Sequence, residues 1–113
     1  MNQEDDAAVA DLSEAIRLGG SRANYFGNRA NAYISAGDYD KAISDFDEAI
    51  KLAPESASGY QGRALAYLKK GITGLARDDY NKALSLNPDA DSRNEIEKAL
   101  KELGPDYRNM KAQ

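Results

Sequence analysis

Two arginine–aspartate pairs offer the clearest chemistry in this sequence. Arg29 precedes Asp45 by the same offset at which Arg63 precedes Asp79. Such a pair could bind a charged ligand, or it could join two structural elements as an ion pair. Because the same offset occurs twice, we interpret both as structural ion pairs. Removing one partner of a partly buried pair would cost about 3 kcal/mol.

Residues suited to catalysis or metal binding are scarce. The chain contains no His, Cys or Trp, so the usual general bases and nucleophile pairs are absent. The acidic segments Asp38-Tyr39-Asp40 and Asp78-Asp79 lack the further oxygen ligands and the bidentate Glu of a calcium loop. We therefore expect no enzyme activity, no metal and no cofactor.

The charge balance narrows the class of partner. Lys and Arg number 15 against 19 Asp and Glu, for a net charge of −4. General nucleic-acid binding requires a basic face, which this balance argues against. No apolar run approaches the ~18 residues of a membrane span, and the acidic N-terminus does not resemble a signal peptide. We expect no nucleic-acid partner, no membrane partner and a cytoplasmic location.

The sequence repeats itself, because the residue types of Tyr25–Pro54 return at a fixed shift in Gly59–Pro88. A third, partial copy places Ala8, Asp11, Ala15 and Leu18 at the positions of Ala42, Asp45, Ala49 and Leu52. A period of this length predicts a stacked array in which each unit buries its apolar face against its neighbours. The positions that recur are Arg29, Ala30, Ala32, Tyr33, Gly37, Ala42, Asp45, Ala49, Leu52 and Pro54, as Arg63, Ala64, Ala66, Tyr67, Gly71, Ala76, Asp79, Ala83, Leu86 and Pro88.

Six helices are predicted from apolar spacing and from helix-ending residues. Gly37 and Gly71 end the second and fourth, and Ser21, Asp38 and Ser56 are predicted N-caps. Ser92-Arg93-Asn94-Glu95 is predicted to be a capping box that opens the sixth helix. The predicted helices are approximately Gln3–Leu18, Arg22–Ala36, Tyr39–Leu52, Ala57–Lys70, Thr73–Leu86 and Arg93–Leu103.

These helices group into one domain over residues 1–113. We predict a half repeat over 3–20, consisting of a second helix only, and two full repeats over 21–54 and 55–88. A capping helix then spans 91–104 with a polar outer face, as the end of such an array requires. A frayed tail is predicted over 105–113.

Two stretches resemble the tetratricopeptide repeat family, with repeats in the style of its bacterial branch. They are Tyr33…Gly37-Asp38-Tyr39…Ala42…Phe46…Ala49…Pro54 and Tyr67…Gly71…Ala76…Tyr80…Ala83…Pro88. The resemblance covers roughly residues 5–103. It implies an all-α fold, a right-handed α-solenoid of antiparallel helix pairs with about two and a half repeats plus a C-terminal capping helix. It implies no chemistry.

The resemblance also implies a peptide-binding groove, lined by the first helix of each repeat. Amide side chains there both donate and accept hydrogen bonds, which suits an extended peptide backbone; the alternative is a solvated face. Asn28 matches the central Asn of the family's chaperone clamp, but Ser58 and Gly62 stand where that clamp has Lys and Arg. We expect a different peptide or protein partner. The expected contacts are Asn24, Asn28, Asn31 and Gln61 as polar groups, Leu65 and Leu68 as apolar groups, and Lys69 as a cation favouring an acidic ligand.

The N-terminal half repeat raises a separate question. Asp11 takes the place of Asp45 and Asp79, but its arginine would have to lie before the chain begins. Val9, Leu12 and Ile16 are expected to leave apolar surface uncovered, and such patches often mark interaction sites. The chain could be a fragment, the end could be tolerated, or another copy could cover it as a homo-oligomer.

Overall fold

Six α-helices follow one another along the chain, and no strand occurs in the part described. The structure, a computed structural model, describes residues 3–20 and 22–109. The largest interfaces join α2 to α3 and α4 to α5, and the molecule measures 55 × 28 × 23 Å. The predicted all-α repeat solenoid is confirmed. The helices are α1 (Gln3–Arg17), α2 (Ala23–Ala36), α3 (Tyr39–Leu52), α4 (Ala57–Lys69), α5 (Thr73–Ser85) and α6 (Ala90–Leu103).

Alanine makes close helix pairing possible. Ala30, Ala42, Ala64, Ala76 and Ala83 are completely buried. A methyl side chain allows two helix backbones to approach, and the larger side chains fill the space left between them. The largest of these are Phe46, Tyr80 and Ile96, which are at most 4% exposed.

The two repeats end their first helices in the same way. Gly37 and Gly71 both adopt a left-handed backbone, with φ of 82° and 81°. The Gly37 N–H donates to the Ile34 carbonyl, and the Gly71 N–H donates to the Leu68 carbonyl. Because glycine adopts positive φ without steric cost, it turns the chain back at the same point in each repeat.

Four helices begin where predicted, at Gln3, Tyr39, Ala57 and Thr73, but their capping differs from that predicted. Asp38 and Ser56 occupy N-cap positions, but neither side chain makes a capping hydrogen bond. The predicted N-cap Ser21 lies outside the described residues. The capping box led by Ser92 is wrong, because α6 begins at Ala90 and Asp89 caps it.

The cap of α6 includes a hydrogen bond from the backbone of Ser92. The Ser92 N–H donates to Asp89 Oδ1 over 2.8 Å, so Ser92 supplies the donor and not the acceptor. This bond from the Ser92 backbone lowers the pKa of the Asp89 carboxyl. Sequence reasoning misses Asp89 because it directly follows Pro88, which marks the end of the repeat.

Residues 106–109 belong to the predicted frayed tail, but they are held against α5, so that prediction is wrong there. Residues 110–113 lie outside the described part. A short 3₁₀ helix spans Tyr107–Asn109. Arg108 donates from Nη2 to Asp78 Oδ1 over 2.8 Å and from Nη1 to Asp78 Oδ2 over 3.1 Å, and it also contacts Asp106. Arg108, Asp78 and Asp106, the clasp, therefore fasten the chain end to α5.

The clasp also explains the glycine in the first turn of α5. A β-carbon at Gly74 would lie 3.1 Å from Arg108 Nη1. The missing side chain leaves room for the arginine, although glycine is unfavourable in a helix by about 1 kcal/mol relative to Ala. Arg108 thus contacts the first turn of α5 from outside the helix.

Candidate functional site

The three asparagines of α2 line a hollow on one side of the solenoid. Asn24, Asn28 and Asn31 are all exposed. The hollow measures about 300 Å³ and lies between α2, α3 and the start of α4. Its other lining residues are Ala23, Gly27, Phe46, Ala49, Ala53, Ser56, Ser58 and Gly59.

A second hollow continues the first toward the C-terminus. It measures about 530 Å³ and shares Asn31 and Ser58 with the first. The remaining lining residues are Gln61, Gly62, Leu65, Leu68, Tyr80, Glu95, Lys98, Ala99 and Glu102. The two hollows together form one groove along α2, α4 and α6, which we call the concave groove.

Six of the seven predicted peptide-binding residues line the concave groove. Lys69 is exposed but lines neither hollow. Leu65 is 36% exposed, and it offers apolar surface beside the half-buried Leu68. Both polar and apolar contact groups therefore face the same channel.

Helix α6 contributes side chains to the groove that the sequence did not lead us to expect. Glu95, Lys98 and Glu102 line the larger hollow, although α6 was expected to be only a cap. A signal existed, because Glu95 follows Gln61 by one full repeat period and Glu102 follows Leu68 by the same period. Extending the repeat register into α6 would have placed both on the groove side.

Charge and hydrogen bonding organise this end of the groove. Gln61 Nε2 donates to Glu95 Oε2 over 3.1 Å, which links α4 to α6 across the channel. Burial, reinforced by the negative charge of Glu95, raises the pKa of the Tyr80 hydroxyl. The Tyr80 hydroxyl therefore stays protonated to a higher pH than an ordinary tyrosine hydroxyl.

Phe46 forms part of the groove floor, and glycine makes room for it. A β-carbon at Gly62 would lie 2.3 Å from the Phe46 ring, which is 2% exposed. A β-carbon at Gly59 would similarly lie 2.9 Å from the Ile50 side chain. The position where the chaperone clamp has Arg therefore could not hold one unless Phe46 moved.

Behind the groove, Arg29 joins three helices. Its Nε and Nη2 donate to the two Asp45 carboxylate oxygens over 2.7 Å each, and its Nη1 donates to Ser13 Oγ over 2.9 Å. The guanidinium also lies 5.8 Å from the Phe26 ring and 6.0 Å from the Tyr33 ring. The hydrogen bonds to Asp45 raise the pKa of Arg29.

Arg63 repeats this arrangement one unit later. It donates to the two Asp79 oxygens over 2.7 and 2.8 Å, and its Nη1 donates to Asp47 Oδ1 over 2.8 Å. Tyr60 and Tyr67 flank its guanidinium at 5.6 and 6.0 Å. The hydrogen bonds to Asp79, then to Asp47, raise the pKa of Arg63. Asp45 and Asp79 are only 5% and 6% exposed, so each needs its bidentate cation.

The repeat geometry agrees with a comparison of this sequence with known protein families. A sequence model of the tetratricopeptide repeat family matches residues 28–91, which is more than half of the chain. The chain belongs to the tetratricopeptide repeat family.

Solved tetratricopeptide structures share the fold. The Arabidopsis OM64 TPR domain has a TM-score of 0.78 and 28% identity, over 88% of this chain and 83% of that one. The second TPR of Spaghetti (RPAP3), bound to HSP90 peptide SRMEEVD, has a TM-score of 0.71 and 26% identity, over 75% of this chain and 79% of that one. MamA protein has a TM-score of 0.70 and 33% identity, over 74% of this chain and 46% of that one. None of the curated protein sequences matches this chain.

Other kinds of site are not found in the described part of this tetratricopeptide chain. Across residues 3–20 and 22–109, no group of three or more acidic, His or Cys side chains could hold a metal ion. Over the same ranges, no helix combines the length and the apolar character needed to cross a bilayer.

Proposed function

We propose that this tetratricopeptide domain is a non-enzymatic interaction module that binds a peptide or protein segment in the concave groove. The observation that carries the proposal is the continuity of the groove. Amide side chains of α2, apolar side chains of α4 and charged side chains of α6 face one channel. A channel of this kind has room for an extended segment of several residues.

The groove chemistry suits an extended backbone with at least one apolar side chain. Asn28 and Asn31 can both donate to peptide carbonyls and accept from peptide N–H groups. Leu65 and Leu68 offer apolar surface in the larger hollow. Burial of such a side chain contributes about 25 cal/mol per Å² of apolar area.

The charge preference of the ligand differs along the groove. Lys69 would favour an acidic residue in a segment that extends past the larger hollow. Glu95 and Glu102, inside that hollow, would favour a neutral or basic side chain, and Lys98 would offset them in part. The Spaghetti domain is similar to this chain and holds an acidic HSP90 peptide, which supports peptide binding as the class of function. Ser58 and Gly62 supply no cation, so we propose a ligand other than an acidic chaperone tail.

The test begins with a peptide selected on the wild-type domain from a displayed random library. The double variant Asn28/Asn31→Ala is expected to bind that peptide at least ~10-fold more weakly, because two backbone contacts of about 1 kcal/mol each are lost. Isothermal titration calorimetry measures the affinity. The matched control is Asn81/Asn94→Ala, which removes two exposed amides that line neither hollow. Equal affinity in both double variants would refute the assignment.

A second candidate function is self-assembly through the N-terminal half repeat. The observation that favours it is burial: α1 has no buried residue, whereas α3 and α5 each have four. Val9, Leu12 and Ile16 are half-buried. Light scattering over a concentration series would show a dimer that Leu12→Glu or Ile16→Glu dissociates; a monomer at every concentration would remove this candidate.

A further inference from the structure

The two hollows of the concave groove lie one repeat apart but differ in their chemistry. The smaller hollow is lined by Phe46 and by no charged residue. The larger hollow is lined by Tyr80 together with Glu95, Lys98 and Glu102. Since Tyr80 follows Phe46 by one repeat period, the aromatic residues of the two floors differ by one hydroxyl group. Charged side chains and that hydroxyl therefore occur together in the larger hollow.

The Tyr80 hydroxyl is a hydrogen-bonding group that the fold leaves unused. Tyr80 is 4% exposed, and across residues 3–20 and 22–109 no side chain or carbonyl bonds to its hydroxyl. The oxygen is nevertheless not sealed off from solvent, and the side chain lines the larger hollow. Because polar groups of buried residues are nearly always hydrogen-bonded, an unused hydroxyl at this place indicates a ligand group.

Two carboxylates give the larger hollow its charge. Glu95 and Glu102 are exposed, and neither forms an ion pair with any residue that the structure describes. Glu95 accepts a hydrogen bond from the neutral Gln61 amide, which leaves its charge uncompensated. Lys98 lines the same hollow without contacting either carboxylate. Two carboxylates against one ammonium group leave the hollow with an excess of negative charge.

Apolar surface lies beside these charges. Leu65 and Leu68 of α4 and Ala99 of α6 line the same hollow. Lysine and arginine side chains match such a surface, because their methylene stems pack against apolar groups while the charged head stays near water. Their heads only donate hydrogen bonds, and carboxylates and a tyrosine oxygen can all accept them.

Both glutamates occupy positions that belong to the groove in each repeat. Their equivalents one period earlier are Gln61 and Leu68, which line the groove although α5 and α6 follow them in the chain. Glu95 and Glu102 therefore face the channel because of their place in the repeat, and not because few helices follow α6.

We propose that the larger hollow binds a lysine or arginine side chain of the bound segment. Its methylene stem supplies the apolar contact with Leu65 and Leu68. Its cationic head donates hydrogen bonds to Glu95, Glu102 and the Tyr80 hydroxyl. This inference rests on the proposed groove binding and adds the class of partner, a segment with a basic residue. That preference is opposite in charge to the acidic HSP90 peptide that the second TPR of Spaghetti holds.

Selection from the displayed random library tests the charge preference. Peptides selected on the wild-type domain are expected to be enriched in Lys or Arg at one position. Peptides selected on Glu95→Gln/Glu102→Gln are expected to lose that enrichment, because the charges are removed while an amide of the same shape can still bond to Gln61. The matched control is Asp91→Asn/Glu97→Gln, which removes two exposed carboxylates of α6 that line neither hollow. It should keep the enrichment.

Calorimetric titration with one selected peptide then separates the contributing groups. Glu102→Gln is expected to weaken binding ~10-fold or more, and Tyr80→Phe ~3-fold or more with little change in Tm. Replacing the basic residue of the peptide by norleucine should weaken binding as well, and should abolish the effect of Glu102→Gln. Lys98→Gln should strengthen binding ~2-fold or more, because it removes a like charge.

The outcomes separate this inference from groove binding itself. Peptides that lose affinity in Asn28/Asn31→Ala but carry no enriched basic residue would overturn the inference and leave the groove function intact. Enrichment that persists in Glu95→Gln/Glu102→Gln would overturn it as well. So would enrichment in Asp or Glu with weaker binding in Lys98→Gln, because the hollow would then bind an anion. A library without any peptide that depends on the two asparagines would overturn both proposals.

Discussion

The two complete repeats are nearly superimposable in their ion pairs and differ in their groove. Arg29 and Arg63 make the same bidentate contact, with N–O distances of 2.7–2.8 Å. On the groove side, however, Asn28 in the first repeat corresponds to Gly62 in the second. The contrast shows that the ion-paired positions keep their residue types in both repeats, whereas the groove positions differ between them.

A second difference lies in the second hydrogen-bond partner of each arginine. Arg29 donates to the neutral hydroxyl of Ser13, whereas Arg63 donates to the carboxylate of Asp47, which is 53% exposed. The second site therefore holds two carboxylates around one guanidinium. Each of the following predictions tests how far the two repeats are equivalent.

The largest expected effect comes from removing the shared cation. Arg63→Ala would leave Asp79 buried without its partner and lower the free energy of unfolding by about 3 kcal/mol. Arg29→Ala should lower the free energy of unfolding slightly less, because Ser13, the second hydrogen-bond partner of Arg29, is uncharged. Urea denaturation measures both, with Lys41→Ala as the exposed control. An unchanged Tm in Arg63→Ala would show that the ion pair does not stabilise the fold.

Replacing glycine and asparagine by alanine at equivalent groove positions should change the stability of the fold in opposite directions. Gly62→Ala places a methyl group against the buried Phe46 ring and should cost about 1–3 kcal/mol, despite a gain in helix propensity of about 1 kcal/mol. Asn28→Ala meets open space in the groove and should be neutral or slightly stabilising. Thermal unfolding of the two variants compares them. Stabilisation by Gly62→Ala would mean that Phe46 moves aside easily.

Exchanging Ser13 and Asp47, the second hydrogen-bond partners of the two arginines, should change stability less. Asp47→Ser makes the second site resemble the first, and we expect a loss of no more than about 1 kcal/mol because the carboxylate is half exposed. The loss should shrink at 1 M salt, where the Debye length is about 3 Å. Ser13→Asp is the reciprocal variant. A salt-independent change would contradict an electrostatic role for Asp47.

The smallest expected effect concerns the clasp, which contacts α5 of the second repeat. Arg108 lowers the pKa of Asp78 below its ordinary value of 3.8. The clasp should therefore be fully formed above that value and released as pH falls through the lowered pKa. An NMR pH titration of the Arg108 amide reports the release, and Arg108→Gln should show the released signal at every pH. A midpoint at or above 3.8 would contradict the ion pair.

Most of the fold could be predicted because it repeats. Ala30 and Ala64, or Gly37 and Gly71, recur with the same residue type, so each copy supports the interpretation of the other. The three asparagines of α2, which do not recur one period later, line the hollow between α2, α3 and the start of α4. Residue types that recur at one spacing are constrained by the same packing, and this constraint is visible in a single sequence.

Contacts that occur once could not be predicted in this way. The clasp depends on Arg108, which lies beyond the last repeat, and no second copy indicates its partner. Ser13 and Asp47 are equivalent in position but not in type, so their shared role was hidden. The contact of Phe46 with Gly62 depends on the separation of α3 and α4, which the apolar pattern does not fix.

The hydrogen bonds that each arginine makes to two other helices affect how the domain unfolds. Because Arg29 bonds to both α1 and α3, and Arg63 to both α3 and α5, separating a full repeat from the unit before it breaks a hydrogen bond of the same guanidinium that joins the two helices of that repeat. In a one-dimensional array this strengthens nearest-neighbour coupling relative to the intrinsic stability of each unit. Strong coupling penalises partly melted chains, so the repeats should melt in one cooperative transition.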